Sequence, residues 1–235
     1  MQKKIIVLSS GGVDSTTCLA KAVEECGHQN VLSVSFLYGQ KHFKELECSR
    51  KIAEYYDVDH KEFDLTNLNI FSSDTCALLQ DSWEEIPHSS YARQVQEGQK
   101  VSTYVPFRNG LFVSMMASYA LSLFPDDKIE IYLGIHSDDF TGSAYADCSS
   151  QFSYYLNKCV NEGTYGQVSV VCPFVDLSKK DIVAYGILHR VPYEFTWSCY
   201  EGGNSPCGKC ATCLDRQNAF ESNGVEDPLC GGVRR

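Results

Sequence analysis

No stretch of the chain approaches the ~20 consecutive apolar residues that a membrane span needs. The opening residues Met1, Gln2, Lys3 and Lys4 lead into a short apolar strand rather than the longer core of a secretion signal. A soluble, cytoplasmic protein with no membrane partner is expected. Positive charge is also scarce: 20 Lys and Arg stand against 30 Asp and Glu, a formal net charge of −10. A chain of that sign draws little binding energy from a polyanion, so no nucleic-acid partner is expected. Internal repeats and low-complexity tracts are absent as well, which excludes a solenoid or a disordered spacer as the basis of the architecture.

What is there is enough sequence for one large core, since a chain of 235 residues can bury on the order of 70% of its extended surface. Strand-like runs at residues 5–8, 31–37, 60–65, 129–134 and 168–172 alternate with helical patterns. That alternation predicts an α/β fold, a doubly wound parallel sheet with helices on both faces. Residues 44–56 place Leu46, Ser49, Ile52, Ala53 and Tyr56 at helical spacing, and 111–123 are apolar nearly all round, as in a central buried helix. Between residues 66 and 100 the periodicity fades around Pro87, and a segment of that length reads as a functional loop or lid.

The first strand runs into Ser9-Ser10-Gly11-Gly12-Val13-Asp14-Ser15-Thr16-Thr17, a glycine-rich turn ahead of a helix expected over residues 17–26. Gly11 and Gly12 allow a sharp turn that brings backbone N–H groups close to an anion, and the start of the helix adds unpaired N–H groups and a positive dipole end. The Walker lysine is missing and the glycines lack dinucleotide-fingerprint spacing. At the far end, Cys199, Cys207, Cys210 and Cys213 stand within fifteen residues, four of the chain's 12 cysteines. Four thiolates suit a tetrahedral ion, and Gly208 lets successive N–H groups turn toward the sulfurs. Zinc in a structural role is favoured; an iron–sulfur cluster is the rival.

The order Ser-Gly-Gly-x-Asp-Ser at Ser10 to Ser15 resembles the PP-loop of the N-type ATP pyrophosphatases, which cleave ATP to AMP and pyrophosphate while adenylating a substrate oxygen. Three further blocks narrow the resemblance to the 7-cyano-7-deazaguanine synthase (QueC) family. They are Phe36-Leu37-Tyr38-Gly39-Gln40-Lys41-His42, the run from Ser102 through Pro106, Phe107, Arg108 and Asn109, and Leu177-Ser178-Lys179-Lys180. Thr196-Trp197-Ser198-Cys199-Tyr200 with the later cysteines completes the set. One departure is Ala146, where the family commonly has Pro in a Tyr-Pro-Asp-Cys run.

The resemblance implies a Rossmann-like PP-loop domain over residues 1–190, with a zinc-binding segment over 191–235 packed on it. It implies conversion of 7-carboxy-7-deazaguanine, ammonia and ATP to 7-cyano-7-deazaguanine, in queuosine biosynthesis, with ATP, Mg²⁺ and structural Zn²⁺ as cofactors. ATP would lie against Leu8, Ser9, Ser10, Gly11, Gly12, Val13, Asp14, Ser15, Thr16, Thr17, Cys18, Tyr38 and Gln40. Asp14, Ser15, Arg108 and Lys179 are the expected catalytic residues, with Asn109 a candidate helix cap. Arg108, Asn109, Asp138, Asp139 and Asp147 are the expected substrate contacts, the carboxylates accepting from the N–H edge of a guanine-like ring. Free ammonia is the simplest nitrogen source, and a homodimer is left open. The residues alone also leave open another PP-loop adenylating enzyme, either an amide-forming ligase on a deazapurine or a tRNA thiolase, and a zinc-ribbon binding module.

Overall fold

The computed structural model describes residues 2–41, 43–71, 76–90, 94 and 101–229. His42, much of the 66–100 segment and the end of the 191–235 segment lie outside the described residues. Five parallel strands form one sheet: β1 (Lys3–Leu8), β2 (Val31–Leu37), β3 (Asp59–Asp64), β4 (Lys128–Leu133) and β5 (Val168–Val171), in the spatial order β3-β2-β1-β4-β5. Because β2 and β4 flank β1 on opposite sides, the connections reverse direction beside it. The carboxyl ends of β1 and β4 therefore open into the crevice where doubly wound sheets bind ligands.

Helices α1 (Val13–Cys26), α2 (Lys44–Tyr55), α3 (Arg108–Leu123), α4 (Ser150–Gly163), α5 (Lys179–Leu188) and α6 (Ala211–Ser222) cover the two faces. The period of two along β1 divides its side chains. Ile5 and Val7 join Leu19 of α1, Ile182 and Val183 of α5 and Phe220 of α6 in one core. Ile6 and Leu8 join Phe112, Val113 and Met116 of α3 in the other. Burying a side chain of this kind contributes about 1.5–3 kcal/mol, so both faces hold the sheet rigidly beneath the crevice. Among the described residues no helix is long and apolar enough to cross a membrane.

Three expectations need correction. The first helix begins at Val13, not residue 17, which puts Asp14, Ser15 and Thr16 in its first turn. The hydroxyls that read as loop residues fold back onto helix carbonyls: Thr16 Oγ1 donates to Gly12 O at 2.7 Å and Thr17 Oγ1 to Val13 O at 2.8 Å. The central helix begins at Arg108, so Asn109 lies inside its first turn and Phe107 takes the cap position, with a left-handed φ of 53°. The 66–100 segment is not all loop. Residues 66–68 form a 3-10 turn, Gln40 and Leu79 form an antiparallel bridge, and Cys76, Leu78 and Leu79 pack on Val105 in a small core above the crevice.

Candidate active site

The phosphate loop is tied from several sides. Ser9 N donates to Val34 O at 2.7 Å, and Ser10 N and Oγ lie 3.2 and 3.1 Å from Ser15 Oγ. Gly11 sits at φ 83°, and a Cβ there would overlap the carbonyl of Glu45 on α2. Only glycine permits both that backbone conformation and that approach. Trp197 N donates to Gly11 O at 2.9 Å, so the region before the cysteine cluster closes on the loop. Val13, Thr17 and Cys18 are fully buried; their side chains support the loop from the core rather than face the crevice.

Beyond the loop lies a cleft that opens to solvent. It brings together Leu8, Ser9, Ser10, Ser15, Tyr38, Gln40, Arg108, Asn109, Asp139 and Asp147 from the sequence-based set. Gln40 uses its amide on its own turn, accepting from Tyr38 N at 2.8 Å and donating to Phe36 O at 3.0 Å. Arg108 Nη1 donates to the Tyr38 hydroxyl at 3.2 Å, which holds the guanidinium over the cleft. Asp147 Oδ2 accepts from Asn109 N at 3.0 Å, and Asn109 Nδ2 donates back to Asp147 O at 3.1 Å. A carboxylate at a helix N-terminus is favoured by the dipole, so Asp147 supplies the cap that Asn109 was expected to provide. Burial nevertheless pushes its carboxyl above the ordinary range, against the Asn109 N–H and Arg108.

A second cluster lies beside the loop. Lys179 Nζ pairs with Asp14 Oδ2, and His136 Nε2 stands 3.7 Å from the same oxygen and 3.5 Å from Asp139 Oδ1. Burial works to raise the Asp14 carboxyl, but Lys179 and His136 outweigh it and hold it below the usual range. Asp14 Oδ1 is buried with no hydrogen-bond partner among the described residues, an orphan acceptor of the kind a cation satisfies. Asp138 Oδ2 accepts from Lys179 N at 2.7 Å and so serves the start of α5 rather than lining the cleft. Burial raises the Asp139 carboxyl, opposed chiefly by His136, and raises Asp215 of α6 to about 6 against Lys179.

Sequence reasoning passed over four of these residues. His136 follows the end of β4, where a doubly wound sheet places its ligands, and that position was its signal. Asp215 stands two residues after Cys213, and Glu45 opens α2 on the cleft. Arg216 is buried and bidentate to Asp227, at 2.7 and 2.9 Å; no local pattern foretells a buried guanidinium.

The four cysteine sulfurs Cys199, Cys207, Cys210 and Cys213 lie within 4.8 Å of one another, and this group can hold a metal ion. A tetrahedral zinc–thiolate site with bonds of ~2.3 Å needs sulfur separations of roughly 3.8 Å. Cys207 Sγ and Cys213 Sγ stand 3.9 Å apart. Backbone N–H groups of Lys209 and Cys210 donate to Cys207 Sγ at 3.4 and 3.3 Å, the outer contacts that steady a thiolate ligand. The donor set therefore fits such an ion.

A glycine-rich turn at the switch point of a doubly wound parallel sheet, bonded to the stretch before four clustered cysteines that can hold a metal ion, defines an α/β protein with its ligand cleft at the carboxyl ends of the strands. The chain belongs to the QueC family: the family model described as "Queuosine biosynthesis protein QueC" matches residues 4–224. It is 40% identical to the 7-cyano-7-deazaguanine synthase of Archaeoglobus fulgidus, over 96% of this chain and 89% of that protein. The 7-cyano-7-deazaguanine synthase of Caldicellulosiruptor saccharolyticus is 39% identical, over 96% of this chain and 94% of that protein. The one from Oceanobacillus iheyensis is 36% identical, over 97% of each chain. Among solved structures, the NH3-dependent NAD synthetase of Campylobacter jejuni overlaps 99% of this chain and 79% of its own, at 15% identity and a TM-score of 0.45.

Proposed function

We propose that this protein converts 7-carboxy-7-deazaguanine and ammonia to 7-cyano-7-deazaguanine, the nitrile known as preQ0, in queuosine biosynthesis. It is a ligase that forms carbon–nitrogen bonds. The observation that carries the reading is the meeting, in one cleft of a QueC-family chain, of the phosphate loop with Arg108 and the carboxylates of Asp139 and Asp147.

The chemistry asks for ATP twice. A carboxylate is a poor electrophile at neutral pH. Attack of its oxygen on the α-phosphate of ATP expels pyrophosphate and leaves an acyl adenylate, whose AMP ammonia displaces to give the amide. A second adenylation, on the amide oxygen, lets AMP depart as the C–O bond breaks and the N–H protons are lost, giving the nitrile. The chain's part is to position the reactants and to stabilise charge on phosphate oxygens. In this reading the N–H groups of the loop, with Ser10 and Ser15, receive the pyrophosphate end, and Arg108 binds the substrate carboxylate or a phosphate bidentately. Asp139 and Asp147 accept from the N–H edge of the deazaguanine.

Asp14 would hold Mg²⁺ through its orphan Oδ1; when bound, the ion neutralises phosphate charge, and phosphate oxygens would supply other ligands because among the described residues the four cysteines are the only group of three or more metal-ligating side chains. The cysteine cluster would hold Zn²⁺. With four protein ligands it has no open position, so its role is to brace residues 191–235 against the nucleotide-binding domain of residues 1–190.

The test is incubation with 7-carboxy-7-deazaguanine, ATP and ammonium, followed by mass spectrometry. The nitrile should appear with two AMP and two pyrophosphates per turnover. Formation of ADP and phosphate instead would overturn the reading.

A further inference from the structure

The reaction proposed above needs a group that no motif supplied. At neutral pH most ammonia in water is ammonium, which has no lone pair with which to attack. One carboxylate in the cleft is placed to receive its proton. Glu45, at the second position of α2, lines the cleft together with Arg108 and Tyr38, and among the described residues no side chain hydrogen-bonds its carboxylate. The other two carboxylates of the cleft are engaged: Asp147 Oδ2 accepts from Asn109 N at 3.0 Å, and Asp139 Oδ1 stands 3.5 Å from His136 Nε2.

The position of Glu45 is fixed independently of its side chain. Gly11 of the phosphate loop packs on the Glu45 carbonyl so closely that a Cβ would not fit between them. The backbone of Glu45 is therefore held beside the loop, and the residue lines the cleft in which the loop would hold the adenylate.

We propose that Glu45 accepts the proton of ammonium as it enters the cleft and so generates the attacking ammonia. This inference rests on the proposed function. Ammonium gives one proton to the Glu45 carboxylate, and the freed nitrogen lone pair forms the C–N bond to the acyl carbon. The C–O bond to AMP breaks, and AMP leaves with that electron pair. The adduct sheds its one surplus N–H proton to water.

The surroundings suit that task. Burial pushes the Glu45 carboxyl up to about 7, with the Arg108 guanidinium opposing it, so near neutrality the group is divided between its two forms. A proton acceptor works best when its pKa lies near the working pH. Arg108 from α3, Tyr38 after β2 and Cys48 one turn along α2 act on it, and the rest of the cleft wall carries Tyr104, Tyr145, Tyr200, Cys148, Asp139 and Asp147.

The test compares two nucleophiles. Hydroxylamine is already largely unprotonated at neutral pH and needs no base to expose its lone pair. Glu45→Gln should slow carboxamide formation from ammonium by roughly 10²–10⁴-fold, while hydroxamate formation from hydroxylamine falls by less than about tenfold. Glu45→Asp, which keeps a carboxylate, should recover part of the ammonium rate. Equal loss with both nucleophiles, or no loss with either, overturns the assignment of Glu45. If the wild-type protein forms neither carboxamide nor hydroxamate, the proposed function falls, and this inference with it.

Discussion

Replacing Arg216 by Ala should destabilise the region around the cysteine cluster from within. Arg216 and Asp227 are 3% and 5% exposed at their side chains, and the guanidinium makes two bonds to the carboxylate. It also donates to Thr196 Oγ1 at 2.7 Å and to Tyr193 O at 3.2 Å, so one side chain joins α6, the turn at 193–195 and the strand-like approach to Cys199. Removing one partner of a buried ion pair costs about 3–5 kcal/mol, because the other charge stays in a poorly solvated place. For a chain of this size 1 kcal/mol shifts Tm by about 2–4 °C, so Arg216→Ala should melt roughly 6–20 °C below wild type. Thermal denaturation followed by circular dichroism, on metal-loaded protein, reads this directly. The double variant Arg216→Met with Asp227→Leu removes both charges and should recover at least half of the loss. A single-variant cost under about 1 kcal/mol, or no recovery in the double variant, would refute the reasoning.

Asp14→Asn keeps the volume but removes the charge facing Lys179 and His136; turnover should fall on the order of 10²-fold or more while the circular dichroism spectrum is unchanged, and pyrophosphate release checks it. Elemental analysis should give one zinc per chain, and Cys210→Ser should lower both metal content and Tm; coloured, iron-containing protein would refute the zinc assignment. Without ligands, Glu45 binds its proton more tightly in the folded chain than in the unfolded one, since its carboxyl rises from an ordinary 4.5 to about 7. Stability should therefore fall as pH rises from about 4.5 through about 7, by on the order of 3 kcal/mol, and Glu45→Gln should flatten that slope in urea titrations across this range. The depressed Asp14 carboxyl has the opposite sign: its contribution is present above the ordinary carboxylate range and is lost as pH falls below it, so Asp14→Asn should narrow the acid-side loss of stability in the same titrations.

Much of this fold was legible in local sequence because buried parallel strands read as short β-branched runs. Residues 5–8 and 31–37 announce β1 and β2 almost to the residue. Helix starts were harder. Ser15, Thr16 and Thr17 look like loop hydroxyls, and only their bonds to the loop and to helix carbonyls show that α1 has already begun. The loop and the cysteines were legible because their residues are adjacent in sequence. Glu45, His136 and Asp215 were not, because each is one polar residue whose neighbours come from distant elements. Asp138 and Asp147 were expected to read the base because they come after the fourth strand and can accept from an N–H edge. Their bonds to Lys179 N and Asn109 N show both at the starts of helices, and only Asp147 also reaches the cleft.

The bond from Trp197 N to Gly11 O has a consequence for how the molecule is made. The loop leaves the ribosome well ahead of the region around residue 197, so the clasp that steadies it arrives only when that later region has emerged. Loop closure over that separation is slow compared with pairing between neighbours, so the nucleotide site is completed late in folding. A chain whose synthesis stops before the cysteine segment would keep most of its sheet and lack a steadied ATP loop. Such fragments would be poor consumers of ATP, and activation of the nucleotide would be confined to finished molecules.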